Sequence, residues 1–192
     1  MLDKSKNSKA LIFDLDGTLV DSMPAHYLSW CEVAREDGFY MSEEIFYELA
    51  GIPSSKVALI LNERFGYDLD PKTIQKRKEY YFLRNIQKIN LLEPVVKVVK
   101  KYTGQVPMAI GTGARKDIAL RLMGQTGLNK YFEIIVTAED VVAHKPDPET
   151  FVRCAKLLGF DNKVCEVFED GELGLRAART AGMIARDVRP YI

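Results

Sequence analysis

The sequence predicts an α/β fold: an open parallel sheet with helices on both faces, interrupted after its first strand by a helical insertion. Three observations lead there. Short apolar runs recur at Ala10 to Phe13, Val106 to Ile110, Ile134 to Val136 and Val164 to Phe168. Each is too short for a helix and lacks in/out alternation, as expected of parallel strands covered on both faces. Helical patterns separate them, and strands alternating with helices imply right-handed crossovers in an open sheet. Lastly, from Pro24 to about Asn90 there is no strand signal at all.

The elements follow in order. Ala10 to Phe13 is the first strand and stops abruptly at Asp14. The insertion holds helical patterns near Pro24 to Asp37, Ser42 to Leu49, Ser55 to Phe65 and Pro71 to Ile89. The sheet resumes with Val106 to Ile110, and Arg115 to Gly124 carries a helical stripe of Ile118, Leu122 and Met123. Pro148 to Gly159 opens on proline and closes on glycine, the asymmetry expected of a helix. Leu173 to Gly182 is the last helix, and Met183 to Ala185 begins a last strand. Residues 1–22 and 91–192 are therefore expected to form an α/β core, and residues 23–90 a helical cap. Both ends of the insertion return to the sheet, so the cap is expected to sit as a lid above its C-terminal edge.

The chain of 192 residues suffices for one core plus a small accessory domain. Its 27 basic and 27 acidic residues balance, so no net field points to nucleic acid or a membrane surface. Cys31, Cys154 and Cys165 are odd in number and show no CxxC spacing, which reads as free thiols in a reducing cytoplasm. No apolar run reaches the ~18 residues of a membrane span. The polar start from Lys4 to Lys9 is expected to be a disordered lead-in without a signal sequence. A cytoplasmic monomer or weak dimer is the expectation.

Four constellations carry chemistry. Asp14 and Asp16 follow directly from the first strand, where open α/β sheets place ligands, and Gly17 allows a tight turn after them. Ordinary turn chemistry is the alternative. A calcium loop fits badly, because the glycine comes too early and a strand, not a helix, stands in front. Glu169 and Asp170 cap the fourth strand at the same edge. Like charges ~4 Å apart repel by roughly 4 kcal/mol at an effective dielectric near 20. Four such carboxylates call for a cation, and an all-oxygen set favours magnesium over zinc. Gly111, Thr112 and Gly113 form a strand-to-helix turn whose N–H groups suit a phosphate, or a plain tight turn. Lys145 sits in His144-Lys145-Pro146-Asp147-Pro148, where the prolines stiffen the loop; taken alone it also reads as a surface lysine.

With these residues in view the chain resembles the haloacid dehalogenase superfamily. The stretch from Asp14 to Ser22, then Thr112, Lys145, and Glu169 and Asp170 followed by Gly174, stands in that family's order. The resemblance covers Ala10 to Val188 and extends to the helical cap of the β-phosphoglucomutase-like branch. Small bacterial sugar phosphatases of the fructose-1-phosphatase kind share the short chain and the Gly-Thr-Gly turn. The resemblance implies a Rossmann-like core and a magnesium-dependent phosphatase. It implies Asp14 as nucleophile and metal ligand. Asp16 is then the general acid and base, its backbone carbonyl on the metal. Thr112, Gly113 and Lys145 hold phosphoryl oxygens, Asp170 ligates the metal, and Glu169 does so directly or through water. Dehalogenase activity is disfavoured, since that branch lacks the second aspartate.

In the cap, a histidine matching His26 lies near the catalytic acid or substrate in this branch; a helix-surface or core role is the alternative. Lys78 falls inside the apolar stripe Ile74, Tyr81, Phe82, Ile86 and Ile89, while Lys76 and Arg77 fall outside it. Such a lysine must snorkel or find an anion, and contact with substrate is expected. β-Phosphoglucomutase carries basic residues in the loop matching Ala50 to Lys56; here Ala50 and Ser54 are neutral, and Lys56, from the next turn, is the residue expected to compensate by touching substrate. That departure favours hydrolysis of a small phosphorylated metabolite over a mutase gripping a bisphosphate. A non-catalytic binding module is the remaining rival.

Overall fold

A computed structural model describes all of residues 1–192. It divides into two compact units, one of Met1–Asp21 with Asn90–Ile192, the other of Ser22–Ile89. No helix is long and apolar enough to cross a membrane.

The first unit is built on five parallel strands, β1 Ala10–Phe13, β2 Met108–Gly111, β3 Ile134–Val136, β4 Cys165–Glu169 and β5 Ile184–Asp187. Their order is β3-β2-β1-β4-β5. The chain builds outward from β1 to β3, then crosses to the far side of β1 for β4. The strand order thus reverses between β1 and β4, the place where such sheets bind ligands. Every residue of β1, β2 and β4 is buried, all of them without charge in β1 and β2, with Glu166 and Glu169 among the buried residues of β4. Register aligns Phe13 with Phe168 and with Ile110, so the next residues, Asp14, Glu169 and Gly111, emerge at one level. Phe13 and Phe168 stack with centroids 4.8 Å apart, locking that register beneath the site.

Helices α5 (Glu93–Tyr102), α6 (Lys116–Thr126), α7 (Glu149–Leu158) and α8 (Glu172–Thr180) complete this unit. Helix α5, to which the sequence reading assigned no bounds, opens on Pro94 and buries Val95, Val96, Val98 and Val99. Between β1 and β4 on one side and α7 and α8 on the other lies a core of Ile12, Val167, Phe151, Cys154 and Ala178. Cys31, Cys154 and Cys165 are free thiols.

The N-terminal lead-in corrects an expectation, because it is tied down. Glu166, fully buried in β4, accepts hydrogen bonds from the Ser5 N–H at 2.6 Å, the Ser8 hydroxyl and Arg186 Nε at 2.9 Å. Asp3 takes Lys101 Nζ at 2.5 Å and the Tyr102 hydroxyl at 2.6 Å. A buried carboxylate must find donors, and this one draws them from a segment whose composition alone reads as disordered.

The second unit holds α1 (Met23–Asp37), α2 (Glu43–Glu48), α3 (Ser54–Phe65) and α4 (Pro71–Asn85). Their ends follow local chemistry. Ser42 and Asp70 cap α2 and α4 by accepting the N–H of Ile45 and Thr73. Gly38 and Gly66 close α1 and α3 in the left-handed conformation. The expected single helix to Ile89 ends at Asn85 and tightens into a 3₁₀ turn, Ile86–Lys88. Trp30, Val33, Phe46, Leu61 and Ile74 form this unit's own core. Arg77 binds Asp37 at 2.7 Å, pinning α4 to α1.

Candidate active site

The site is assembled at the switch point by two strand ends and one loop. Asp14 directly follows β1, and its N–H donates to the Phe168 carbonyl at 3.0 Å, so the backbone itself ties it to β4. The chain then winds tightly: Leu19 N and Val20 N both donate to the Leu15 carbonyl, and Gly17 N donates to Val20 O at 2.9 Å. Gly17 takes φ +80°, and a Cβ there would lie 2.3 Å from Asp170 Oδ2. The glycine therefore serves both the turn and the close approach of a carboxylate.

Asp14, Glu169 and Asp170 each offer a carboxylate oxygen within 4.8 Å of the others. Lys145 enters from its proline-flanked loop, with Nζ 2.8 Å from Asp14 Oδ1 and 3.6 Å from Glu169 Oε1. Its loop is fixed by Glu149, whose carboxylate accepts the N–H groups of Val142 and Ala143 at 3.1 and 2.7 Å. Beneath it the ring of buried Phe151 lies 4.7 Å from Nζ. Gly111 makes room for that ring, since a Cβ would sit 3.1 Å from Phe151 Cδ1 and 3.0 Å from Cys154 Sγ.

The electrostatics follow from burial. Burial raises the Asp14 pKa, and Lys145 opposes the rise. Glu169 is pushed well up by burial and then by the Asp14 charge. Asp170 rises to about 6 for the same two reasons. Burial works against the Lys145 charge, but Asp14 and Glu169 outweigh it and hold its pKa above the usual lysine range. One cation thus faces three carboxylates, and Glu169 Oε2 is buried without a hydrogen-bond partner. Hard oxygen donors, surplus negative charge and an orphaned buried oxygen fit a divalent metal ion.

The remaining expected residues are placed as follows. The Asp16 side chain is not one of the three clustered carboxylates; it lies in the turn after β1, and in its ionised form it helps raise the Asp14 pKa. Thr112 and Gly113 follow β2, the other neighbour of β1. Thr112 is buried, its N–H bonds to Val136 O at 2.9 Å and its hydroxyl oxygen accepts the Ala114 N–H at 3.0 Å. His26, Lys56 and Lys78 belong to the helical unit. Lys56 is exposed in the first turn of α3. Lys78 is buried, as its place in the stripe requires, with Nζ 2.6 Å from His26 Nδ1. His26 stacks on Phe82 at 4.1 Å, and Lys78 lies 5.1 Å from the same ring.

Two residues of the site escaped the reading of roles from sequence. Thr18 donates its hydroxyl to Asp170 Oδ1 at 2.6 Å across a separation of 152 residues. Gly174, in the first turns of α8, leaves space for Glu169: a Cβ there would lie 1.8 Å from Oε1. A glycine inside a helix four residues after an acid pair is a usable signal for the second. Nothing local signals the first.

The comparisons with known proteins agree with this geometry. The family model for haloacid dehalogenase-like hydrolases matches residues 11–186. The fructose-1-phosphate phosphatase YqaB of Escherichia coli (strain K12) is 39% identical over 183 residues, covering 93% of this chain and 95% of that protein. The phosphorylated carbohydrates phosphatase of Thermotoga maritima is 27% identical, covering 91% and 82%. Among solved structures, the β-phosphoglucomutase of Clostridium difficile superposes with a TM-score of 0.81 at 24% identity, over 93% of this chain and 83% of that one, a likeness of fold. A match of that extent, with the switch-point acids and lysine in place, assigns the chain to the haloacid dehalogenase-like hydrolases.

Proposed function

We propose that this phosphatase hydrolyses a small sugar monophosphate through an aspartyl-phosphate on Asp14. The observation carrying this reading is the ion pair of Lys145 with Asp14 inside a cluster of three carboxylates, one of them with an orphaned oxygen. Magnesium is the ion we assign, held by Asp14, Asp170 and Glu169 with the Asp16 carbonyl. When bound it offsets the carboxylate repulsion and draws charge from the phosphoryl oxygens.

The chain's own residues do the rest. A carboxylate oxygen of Asp14 attacks phosphorus, and the bond from phosphorus to the sugar oxygen breaks. Asp16 gives its proton to that leaving oxygen. Asp16, now ionised, takes a proton from water; the water oxygen attacks phosphorus, phosphate departs, and Asp14 is regenerated. Lys145 and Thr112, with the turn at Gly113, hold the phosphoryl oxygens through transfer, where positioning and charge supply most of the rate.

Residues 23–90 act in this reading as the substrate-selecting domain, through His26, Lys56 and Lys78. Neutral Ala50 and Ser54 support a monophosphate substrate. A cytoplasmic enzyme, a monomer or weak dimer without a nucleic-acid or membrane partner, completes this reading; the free thiols support the compartment and the balanced charge the absence of such partners. The test mixes protein and magnesium with a panel of sugar phosphates. Release of inorganic phosphate is expected. Isomer formation without phosphate would make the protein a mutase, and no turnover of any member, p-nitrophenyl phosphate included, would leave a binding module.

A further inference from the structure

Thr18 has no part in the chemistry above, yet it is fully buried. A buried hydroxyl needs a partner, and this one has a carboxylate: Oγ1 lies 2.6 Å from Asp170 Oδ1. The distance is that of a charge-assisted hydrogen bond. Its neighbour Gly17 has no side chain, and Asp170 packs into the space a Cβ would take. Two adjacent residues of the β1 turn therefore shape the seat of an acid at the end of β4, one by a bond and one by an absence. The held carboxylate belongs to the cluster with Asp14 and Glu169, all like-charged when ionised. Repulsion among them favours rotating Asp170 away, and a fixed donor on one oxygen opposes that rotation.

We infer that Thr18 is a positioning residue for cation binding, its hydroxyl holding Asp170 in the orientation that completes the three-carboxylate site. This rests on the reading that the cluster holds a divalent ion. Residues that orient metal ligands typically contribute about 10–100-fold in affinity.

The test is calorimetric titration of the full-length protein with magnesium chloride, without substrate. Thr18→Val keeps the shape and removes the donor; it is expected to weaken binding about 10–100-fold. Thr18→Ser keeps the donor and drops the methyl; it is expected to bind close to wild type. A packing role predicts the reverse order, and that order would overturn the inference. Should Thr18→Val not fold, Thr18→Ala against Thr18→Ser isolates the hydroxyl, and equal affinities would overturn it as well. If wild type binds no magnesium, the cation reading itself fails, and this inference with it. If wild type binds and Thr18→Val binds equally, only the role of Thr18 falls.

Discussion

Each unit of the molecule sets one lysine against an aromatic ring, Lys78 buried and Lys145 largely enclosed, and the two meet different company. Lys145 lies 4.7 Å from Phe151 and faces the carboxylates of Asp14 and Glu169. Lys78 lies 5.1 Å from Phe82 and meets the imidazole of His26. The first is held in a fixed frame: register, stiff loop and ring all converge on one ammonium. The second stands on helix α4, where the side chains of His26 and Phe82 meet it. Chemistry common to many substrates suits the first arrangement, and choice among substrates suits the second.

The comparison breaks most sharply at the α/β unit. Asp14→Asn is expected to cut turnover by about 10⁴-fold or more with every substrate, as loss of a nucleophile does. Lys145→Ala should cost about 10²–10³-fold, the scale of a lost transition-state donor. Phosphate-release assays check both, and a substrate-dependent loss at either position would undo the division of labour.

Gly174→Ala probes the frame instead of the chemistry. Its methyl would run into Glu169 Oε1, so the carboxylate must move. Magnesium affinity by calorimetry should fall about 10–100-fold. Denaturant unfolding should show a loss of about 1–3 kcal/mol from overpacking. Unchanged affinity would remove Glu169 from the metal site.

The acids also predict a pH dependence. Burial and Asp14 raise Asp170 from 3.8 to about 6, and Glu169 moves in the same direction. The folded chain then binds protons on these acids that the unfolded chain has released, so their contribution to the stability of the metal-free protein falls as pH rises from about 4 to about 6. Magnesium competes with those protons. Its thermal stabilisation should be small at pH ~5 and large at pH ~7.5. A stabilisation independent of pH would contradict the raised carboxyl pKa values.

The smallest effect is expected in the helical unit. Lys78→Ala should lower kcat/KM for some sugar phosphates about tenfold more than for others, or about 1.4 kcal/mol in barrier. A uniform loss across the panel would make Lys78 structural and erase the contrast with Lys145.

What was legible in the sequence follows the same line. The strand ends at Asp14 and at Glu169 and Asp170 were readable because a buried parallel strand is a short apolar run that stops at its functional edge. The burial of Lys78 was readable because helical periodicity places a residue on a face. The tethered N-terminus was not, since Ser5 and Ser8 are tied to the sheet only when Glu166 arrives from a strand about 160 residues away. Nor was the bond of Thr18 to Asp170, which depends on β1 and β4 lying side by side. Local rules carry local facts; contacts made by the order of strands wait for the fold.

Covalent capture at Asp14 is the most direct measurement of the mechanism. Asp16→Asn removes both the proton donor to the leaving oxygen and the base that activates water; with p-nitrophenyl phosphate, whose leaving group departs without a proton, only the second step is slowed and the phosphoenzyme should accumulate. That variant, mixed with magnesium and p-nitrophenyl phosphate, quenched in acid and digested, is expected to carry one phosphoryl group on the peptide containing Asp14. A phosphoryl group on another residue, or none during demonstrated turnover, would contradict attack by Asp14.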